Sequence, residues 1–441
     1  MTARRGGSAT ATGTPHRKRP TLDVERAVER AARDSYSRLV AFLAARSRDV
    51  AAAEDALADA FQAALETWPR SGVPEKPEAW LLTAARRRLI DAARHARVHA
   101  DAAPTLLAVA DEAQELASAE LVFPDERLKL LFICAHPAID AAGRTPLMLQ
   151  TVLGLDAARI ASAFLVRPST MSQRLTRAKA KIRDARIAFE LPEAKELPAR
   201  LDAVLEAIYA AYGSGWDDVA GADPRRKGLA VEAIELGRLV VRLMLGDPEA
   251  QGLLALMLYC ESRRNARRSE TGAYVPLSEQ DVARWSRPMI DEAERLLTAA
   301  KQAGRIGRFQ LEAAIQSVHA RRGTTGRTDW EAIALLYEGL VRLAPGIGAL
   351  VGRAAAIAEA RDAATGWALL QEIPAEAINT YQPYWALAAH LLRRRGQSDE
   401  AAAAYSRAIG LCEDQAMREF LAQQAAGDLN PTRESRHPRR L

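Results

Sequence analysis

The fold is decided by residues 156–184, which read DAARIASAFLVRPSTMSQRLTRAKAKIRD. Asp156 can cap a short helix, and Ser169 can cap a second helix directly after a turn. In the first helix, the apolar residues Ile160, Ala161 and Phe164 are expected to share one face. Apolar side chains recur in the second helix at alternating spacings of four and three residues, as one buried stripe requires. This stripe consists of Met171, Leu175, Ala178 and Ile182.

The opposite side of the second helix is polar and basic, with seven basic residues and one acid from Phe164 to Arg186. A helix fits the major groove of DNA, where side chains near its N-terminus reach base edges and basic side chains contact phosphates. We therefore expect Gln173 and Arg174 to read bases. The other expected DNA contacts are Ser169, Thr170, Arg177, Lys179 and Lys181. A solvated basic face on an ordinary helical hairpin is the alternative interpretation.

A second helical pattern covers residues 21–99. In the helix predicted from about residue 51 to residue 66, an apolar face opposes a polar stripe. The apolar face consists of Leu57, Phe61, Ala64, Leu65 and Trp68, and the polar stripe of Asp55, Asp59, Gln62 and Glu66. A proline-punctuated loop, 69–77, precedes a helix whose arginines are expected to project outward: Arg86, Arg87 and Arg88. A basic face can bind the phosphate backbone of a single strand while an adjacent irregular loop holds an unpaired base. An ordinary solvent-exposed helix face is the alternative interpretation of the same pattern.

The composition changes along the chain and predicts separate modules. Residues 100–126 contain seven acids and no lysine or arginine, which is typical of a linker. The predicted order is a disordered basic tail (1–20), a helical module (21–99), the acidic linker (100–126), a second helical module (127–191), a long helical region (198–425) and a polar tail (426–441). Aromatic residues make up only 5% of the chain, and alanine is abundant, so we expect an all-α protein.

The long helical region predicts repeats. Ile333, Trp367 and Ala401 are spaced at the 34-residue period of tetratricopeptide repeats. From Trp385 onward, small residues alternate with large ones as in two crossing helices. Stacked repeats leave a concave surface, which suggests binding of a protein partner or an intramolecular contact.

Several classes of protein and site are not expected. The apolar run 253–260 is far shorter than the ~20 residues that cross a bilayer, so we expect a soluble cytoplasmic protein with no membrane contact. Three distant cysteines and seven scattered histidines show no metal-ligand spacing. No phosphate-binding glycine motif or nucleophile motif is present. We therefore expect no enzymatic activity and no cofactor or metal.

Taken in order, the motifs resemble a known family. The segments AEDALADAF (53–61) and PEAWLLTAARRR (77–88) resemble region two of extracytoplasmic-function sigma factors, and residues 156–184 resemble their helix-turn-helix region four. The segments DERLKLLFICAHP (125–137), EQD (279–281) and RW (284–285) are similar to a subgroup with a C-terminal tetratricopeptide-like extension. The sequence departs from the family pattern at position 159, which is arginine, whereas the first helix of the helix-turn-helix commonly has a capping-box glutamate there.

The resemblance implies partners and roles. Asp55, Asp59 and Gln62 would face the β′ clamp helices of core RNA polymerase. The loop 69–78 and Arg86–Arg88 would engage the downstream promoter element, while region four would read the upstream element and touch the β-flap. The extension would regulate activity. The two promoter elements lie roughly 50 to 70 Å apart, and the linker can extend to about 80 Å. A free-standing helix-turn-helix regulator with a repeat sensor domain is the alternative, and a repeat scaffold with an incidental basic helix is a third hypothesis.

Overall fold

The structure is a computed structural model, which describes residues 20–97, 126–164, 166–217 and 228–427. Every regular element in these ranges is a helix, apart from an isolated bridge between Arg268 and Tyr274. The predicted all-α class is therefore confirmed. Nearly all of the predicted basic tail and acidic linker, and most of the polar tail, lie outside the described residues.

The chain divides into two compact units, a front unit that ends at Leu197 and a rear unit that begins at Pro198. The helices of the front unit are α1 (Pro20–Ser47), α2 (Val50–Ser71), α3 (Pro77–Arg97), α4 (Arg127–Cys134), α5 (Ala141–Thr151), α6 (Ala157–Ala163) and α7 (Pro168–Asp184). Helices α1, α2 and α3 pack against one another, and α5 and α6 pack against α7. Helix α1 also contacts α4, and α2 contacts α7, so the two predicted front modules touch.

Helices α2 and α3 are anchored where the chain turns between them. Gly72 ends α2 with a φ of 83°, a backbone conformation that glycine adopts without steric cost. Trp68, at the end of α2, is buried and meets Trp80 of α3 edge to face, with ring centroids 5.5 Å apart. Both ends of the loop 72–76 are therefore held by aromatic packing.

The region around α6 and α7 follows the sequence pattern closely. The carboxylate of Asp156 caps α6 and accepts a hydrogen bond from the backbone N–H of Arg159 at 2.9 Å. The predicted stripe on α7 is buried at all four positions: Met171, Leu175, Ala178 and Ile182. For α7, residue spacing alone therefore identified the core face correctly.

Three local expectations were wrong. Helix α7 begins at Pro168, with Arg167 at the N-cap, so Ser169 lies inside the first turn and does not cap it. Proline at the first helical position already has a helical φ and lacks an N–H that would need a partner. Phe164 follows the last residue of α6 and is 37% exposed, and Leu65, at the margin of the apolar face of α2, is 46% exposed.

The rear unit is built from helices α8 to α20. They are α8 (Leu197–Asp217), α9 (Leu229–Leu243), α10 (Pro248–Glu261), α11 (Arg287–Gln302), α12 (Arg308–Ala320), α13 (Arg322–Thr325), α14 (Trp330–Leu343), α15 (Ile347–Ala360), α16 (Ala363–Gln371), α17 (Ala375–Ile378), α18 (Gln382–Arg394), α19 (Ser398–Leu411) and α20 (Gln415–Gly427). Three short 3₁₀ turns lie between α10 and α11. Helix α10 carries the apolar run noted above and packs against α9, α11 and α12.

The second half of the rear unit consists of helices packed in sequential pairs. Helix α14 packs against α15, and α18 packs against α19. Ile333 and Ala401 are fully buried, while Trp367 is partly buried against the same core as Ala401. At Gly366, an added Cβ would lie 2.5 Å from the Cβ of Ala358, so α16 approaches α15 more closely than any side chain would allow. None of the helices in the described ranges has the length and apolarity that crossing a bilayer requires.

A partly buried histidine, His319, is expected to make the rear unit sensitive to acid. Burial lowers the pKa of His319 from 6.5 to about 4, and Arg263 and Arg322 act in the same direction. Because the unfolded chain takes up this proton near its ordinary pKa, stability is present above that pKa and is lost as the pH falls toward 4. We expect the free energy of unfolding of the rear unit to fall by about 2 kcal/mol between pH 7 and pH 5 from this group.

Urea unfolding of His319→Phe at both pH values checks this expectation. Phenylalanine retains a ring at the position where His319 meets Trp330 edge to face, at a centroid distance of 5.4 Å. The variant should therefore lose less stability on acidification than the original chain does. Equal losses in the two proteins would contradict the assignment to His319.

Candidate nucleic-acid and polymerase interface

Helix α7 presents most of its predicted DNA contacts to solvent. The exposed members are Ser169, Thr170, Gln173, Arg177 and Lys181, while Arg174 is half-buried at the edge of the same face. The hydroxyl of Thr176 is also on an exposed residue, but it donates to the backbone oxygen of Ser172 at 2.9 Å and is satisfied within the helix. The only acid of α7 is its last residue, Asp184, which pairs with Arg183 at 3.2 Å. This face is therefore positive and free of carboxylates along its length.

The N-terminal turn of α7 adds a second feature suited to nucleic acid. The first backbone N–H groups of any helix have no partner within the helix and favour an anion such as phosphate. Among the described residues, no side chain caps this end, which begins at Pro168 with Ser169 and Thr170 in the exposed first turn. Hydroxyls and free N–H groups can together bond a phosphate or a base edge.

Lys179 occupies a different environment from the other basic residues of α7. Its ammonium pairs with the carboxylate of Glu54 on α2, and the two side chains are only 15% and 13% exposed. Burial raises the pKa of Glu54, and the positive charge of Lys179 acts in the opposite direction. In this arrangement Lys179 does not lie on the exposed face of α7, and its predicted phosphate contact stays a prediction.

The polar stripe of α2 is exposed as expected. Asp55, Asp59 and Gln62 all face solvent, and the Gln62 amide donates to Glu66 at 3.2 Å. Asp59 also lies 3.8 Å from Arg88 of α3, with both side chains more than half exposed. An ion pair this exposed contributes little to the stability of the fold. Asp59 and Arg88 can therefore separate and bind an external partner at a small cost in free energy.

The three arginines of α3 divide between surface and interior. Arg87 and Arg88 are exposed, whereas Arg86 is only 6% exposed. The Arg86 guanidinium lies over the ring of Phe42 of α1, 5.3 Å from its centroid, which is a cation–π distance. The expectation that all three project outward is thus corrected for Arg86, since the packing of α1 against α3 encloses it.

Sequence reasoning missed Glu54 as a functional candidate. Glu54 follows the buried Ala53 and precedes the buried Leu57 by three positions, so it lies at the edge of the core face of α2. A charged residue at the margin of a buried stripe is a signal that a partner of opposite charge lies nearby. The identity of that partner could not be read from the sequence, because Lys179 is 125 residues away.

Comparison with known proteins gives two family matches. Residues 32–98 match the family described as Sigma-70 region 2, which spans α2, α3 and the later part of α1. Residues 200–301 match a family of unknown function, DUF6596, within the rear unit. The first match supports a sigma factor role, and a sigma-70 region 2 implies binding of core RNA polymerase and promoter DNA.

A relative that matches most of the chain is also found. The uncharacterized protein R00370 of Rhizobium meliloti (strain 1021) is 38% identical over 381 residues, which are 86% of this chain and 90% of that protein. No solved structure matches the chain.

Proposed function

This chain belongs to the same family as protein R00370 of Rhizobium meliloti, and on that premise we propose that it is an alternative sigma factor of the extracytoplasmic-function type with a tetratricopeptide-like extension. It would bind core RNA polymerase and direct it to specific promoters. The observation that carries the proposal is the exposed, carboxylate-free basic face of α7 in the same compact unit as a sigma-70 region 2. Polymerase performs the chemistry, so the role requires no catalytic residue in this chain.

The proposed division of labour in the front unit follows the exposed surfaces. Helix α7 would read the upstream promoter element through Gln173 and Arg174, and its module would touch the β-flap. The polar stripe of α2 would bind the β′ clamp helices, because Asp55 and Asp59 are exposed carboxylates and, among the described residues, the Asp59–Arg88 ion pair is too exposed to hold Asp59 strongly. Arg87, Arg88 and the loop 72–76 between α2 and α3 would hold the downstream element.

The rear unit would regulate the front unit. Its paired helices, α14 with α15 and α18 with α19, have the layout of stacked repeats, which commonly bind protein segments. The proposed regulation is a contact of this domain with a protein partner or with another part of the same chain. No catalytic function is assigned to it.

Run-off transcription tests the proposal directly. Purified core polymerase is combined with a genomic promoter library, with and without the full chain. We expect specific start sites that appear only when the chain is added, and their upstream sequences would define the promoter motif. Asp55→Ala and Asp59→Ala together should reduce transcript yield by weakening binding to core polymerase, with Asp399→Ala, an exposed residue of α19, as the control.

If the full chain gives no transcripts, removal of the residues beyond Pro198 distinguishes inhibition by the rear unit from a lack of sigma factor activity. Transcripts from the shortened chain but not from the full chain would identify the rear unit as an inhibitor. Silence from both, together with specific duplex binding by the chain alone, would overturn the sigma factor proposal in favour of a free-standing regulator.

A further inference from the structure

A half-open cavity of about 810 Å³ lies in the rear unit and is lined by α8, α10, α12, α14 and the start of α15. Small-molecule sites typically measure about 300 to 1,000 Å³. We propose that this cavity binds an uncharged, flat aromatic molecule that carries a hydroxyl or carbonyl group. Ligand binding to the cavity can be measured directly, without a transcription assay. The inference is therefore independent of the proposed sigma factor role.

The walls of the cavity suit a flat ring. Tyr209 and Tyr337 line it together with the apolar side chains of Leu256, Ile315 and Leu340. The Tyr337 ring lies against the backbone of α15, since a Cβ added at Gly352 would come within 2.4 Å of it. A ring held by backbone contact keeps one orientation and presents an aromatic surface on which another ring can stack.

The charged groups around the cavity are already paired. The Arg308 guanidinium donates to Glu312 at 2.7 Å and also pairs with Glu206, while the Tyr209 hydroxyl donates to Glu312 at 3.0 Å. The side-chain oxygen of Gln316, another lining residue, accepts from Arg263 at 2.6 Å. A charged ligand would have to displace one of these pairs and lose its own hydration. A neutral ligand avoids both costs, which is why the charge balance favours it.

Two donor groups in the cavity wall can orient the ligand. The Tyr337 hydroxyl has no hydrogen-bond partner within the ranges that the structure describes. Burial raises its pKa to about 12, so it keeps its proton at neutral pH. It can therefore donate to a carbonyl or hydroxyl oxygen on the ligand, and the Gln316 side-chain NH₂ is a second donor type in the same wall.

Isothermal titration calorimetry of the full chain tests the proposal with two probes that share one ring system. The first, 2-naphthol, is neutral and carries a hydroxyl, and the second, 2-naphthoate, is an anion. We expect saturable one-site binding of 2-naphthol and at least tenfold weaker binding of 2-naphthoate, equivalent to about 1.4 kcal/mol. No saturable binding of 2-naphthol, or tighter binding of 2-naphthoate, would overturn the proposal.

Two cavity variants and one control variant locate the binding site. Ala349→Phe places a ring into the cavity wall and should weaken 2-naphthol binding on the order of tenfold or more. Ala402→Phe adds the same ring at an exposed position of α19 and should leave binding unchanged. Tyr337→Phe keeps the ring but removes the hydroxyl, and should weaken 2-naphthol binding about two- to tenfold without affecting unsubstituted naphthalene. If neither cavity variant weakened binding of 2-naphthol, the assigned site would be wrong.

Discussion

Lys179→Glu is expected to lower the free energy of unfolding of the front unit by about 3 kcal/mol. The substitution places a carboxylate next to Glu54 at a position where both side chains are only 15% and 13% exposed. Two like charges in a partly buried contact repel each other and lose hydration with no compensating partner. Guanidinium unfolding measures the change when the rear-unit tryptophans are replaced by phenylalanine in every protein compared, so that the fluorescence comes from Trp68 and Trp80 of the front unit.

Two further proteins make this test specific. The charge-swapped double variant, Glu54→Lys with Lys179→Glu, should recover most of the lost stability, since the pair is restored with its direction reversed. Lys195→Glu breaks an ion pair with Glu193 whose side chains are 77% and 73% exposed, and it should change stability by less than about 1 kcal/mol. Equal losses for Lys179→Glu and Lys195→Glu would show that the Glu54 contact does not stabilise the front unit.

Gln173→Ala and Arg174→Ala are expected to reduce discrimination between the preferred promoter and its single-base variants by about 1 to 3 kcal/mol for each lost base contact. Both residues lie in the first half of α7, close to the end that would enter the major groove. Arg177→Ala should instead weaken binding to all sequences by a similar factor, because a phosphate contact carries no base information.

Binding of the variant holoenzymes to promoter duplexes, at one fixed salt concentration, separates these two effects. A salt titration adds an independent measurement, since loss of a phosphate contact should make the salt dependence of binding less steep. If all three substitutions reduced affinity for every duplex equally, the division into reading and positioning residues would be wrong.

Local pattern was a good guide wherever one helix alone decides the outcome. The buried stripe of α7 and the cap at Asp156 follow from residue spacing and side-chain chemistry within a few positions. The cap of α7 was less predictable, because Pro168 and Ser169 are both favourable residues for the start of a helix, and one position separates them. The residue at which a helix begins depends on such small differences in capping preference between neighbouring residues.

Contacts between distant segments could not be predicted in the same way. Arg86 reads as a surface arginine beside Arg87 and Arg88, and only the packing of α1 places it over Phe42. The Glu54–Lys179 pair likewise joins helices that are far apart in the chain. The cavity of the rear unit is assembled from five helices, so each lining residue appears in the sequence as an ordinary core or surface position.

The contact between α2 and α7 also bears on affinity. If α7 and region two occupy promoter elements roughly 50 to 70 Å apart, the Glu54–Lys179 pair has to separate before both can bind. Only the separated fraction of molecules is competent, so the apparent dissociation constant equals the intrinsic value divided by that fraction. With about one molecule in a hundred separated, promoter affinity would be roughly a hundredfold lower than the DNA contacts alone provide. Any ligand or partner that favours separation would then raise promoter occupancy without touching DNA.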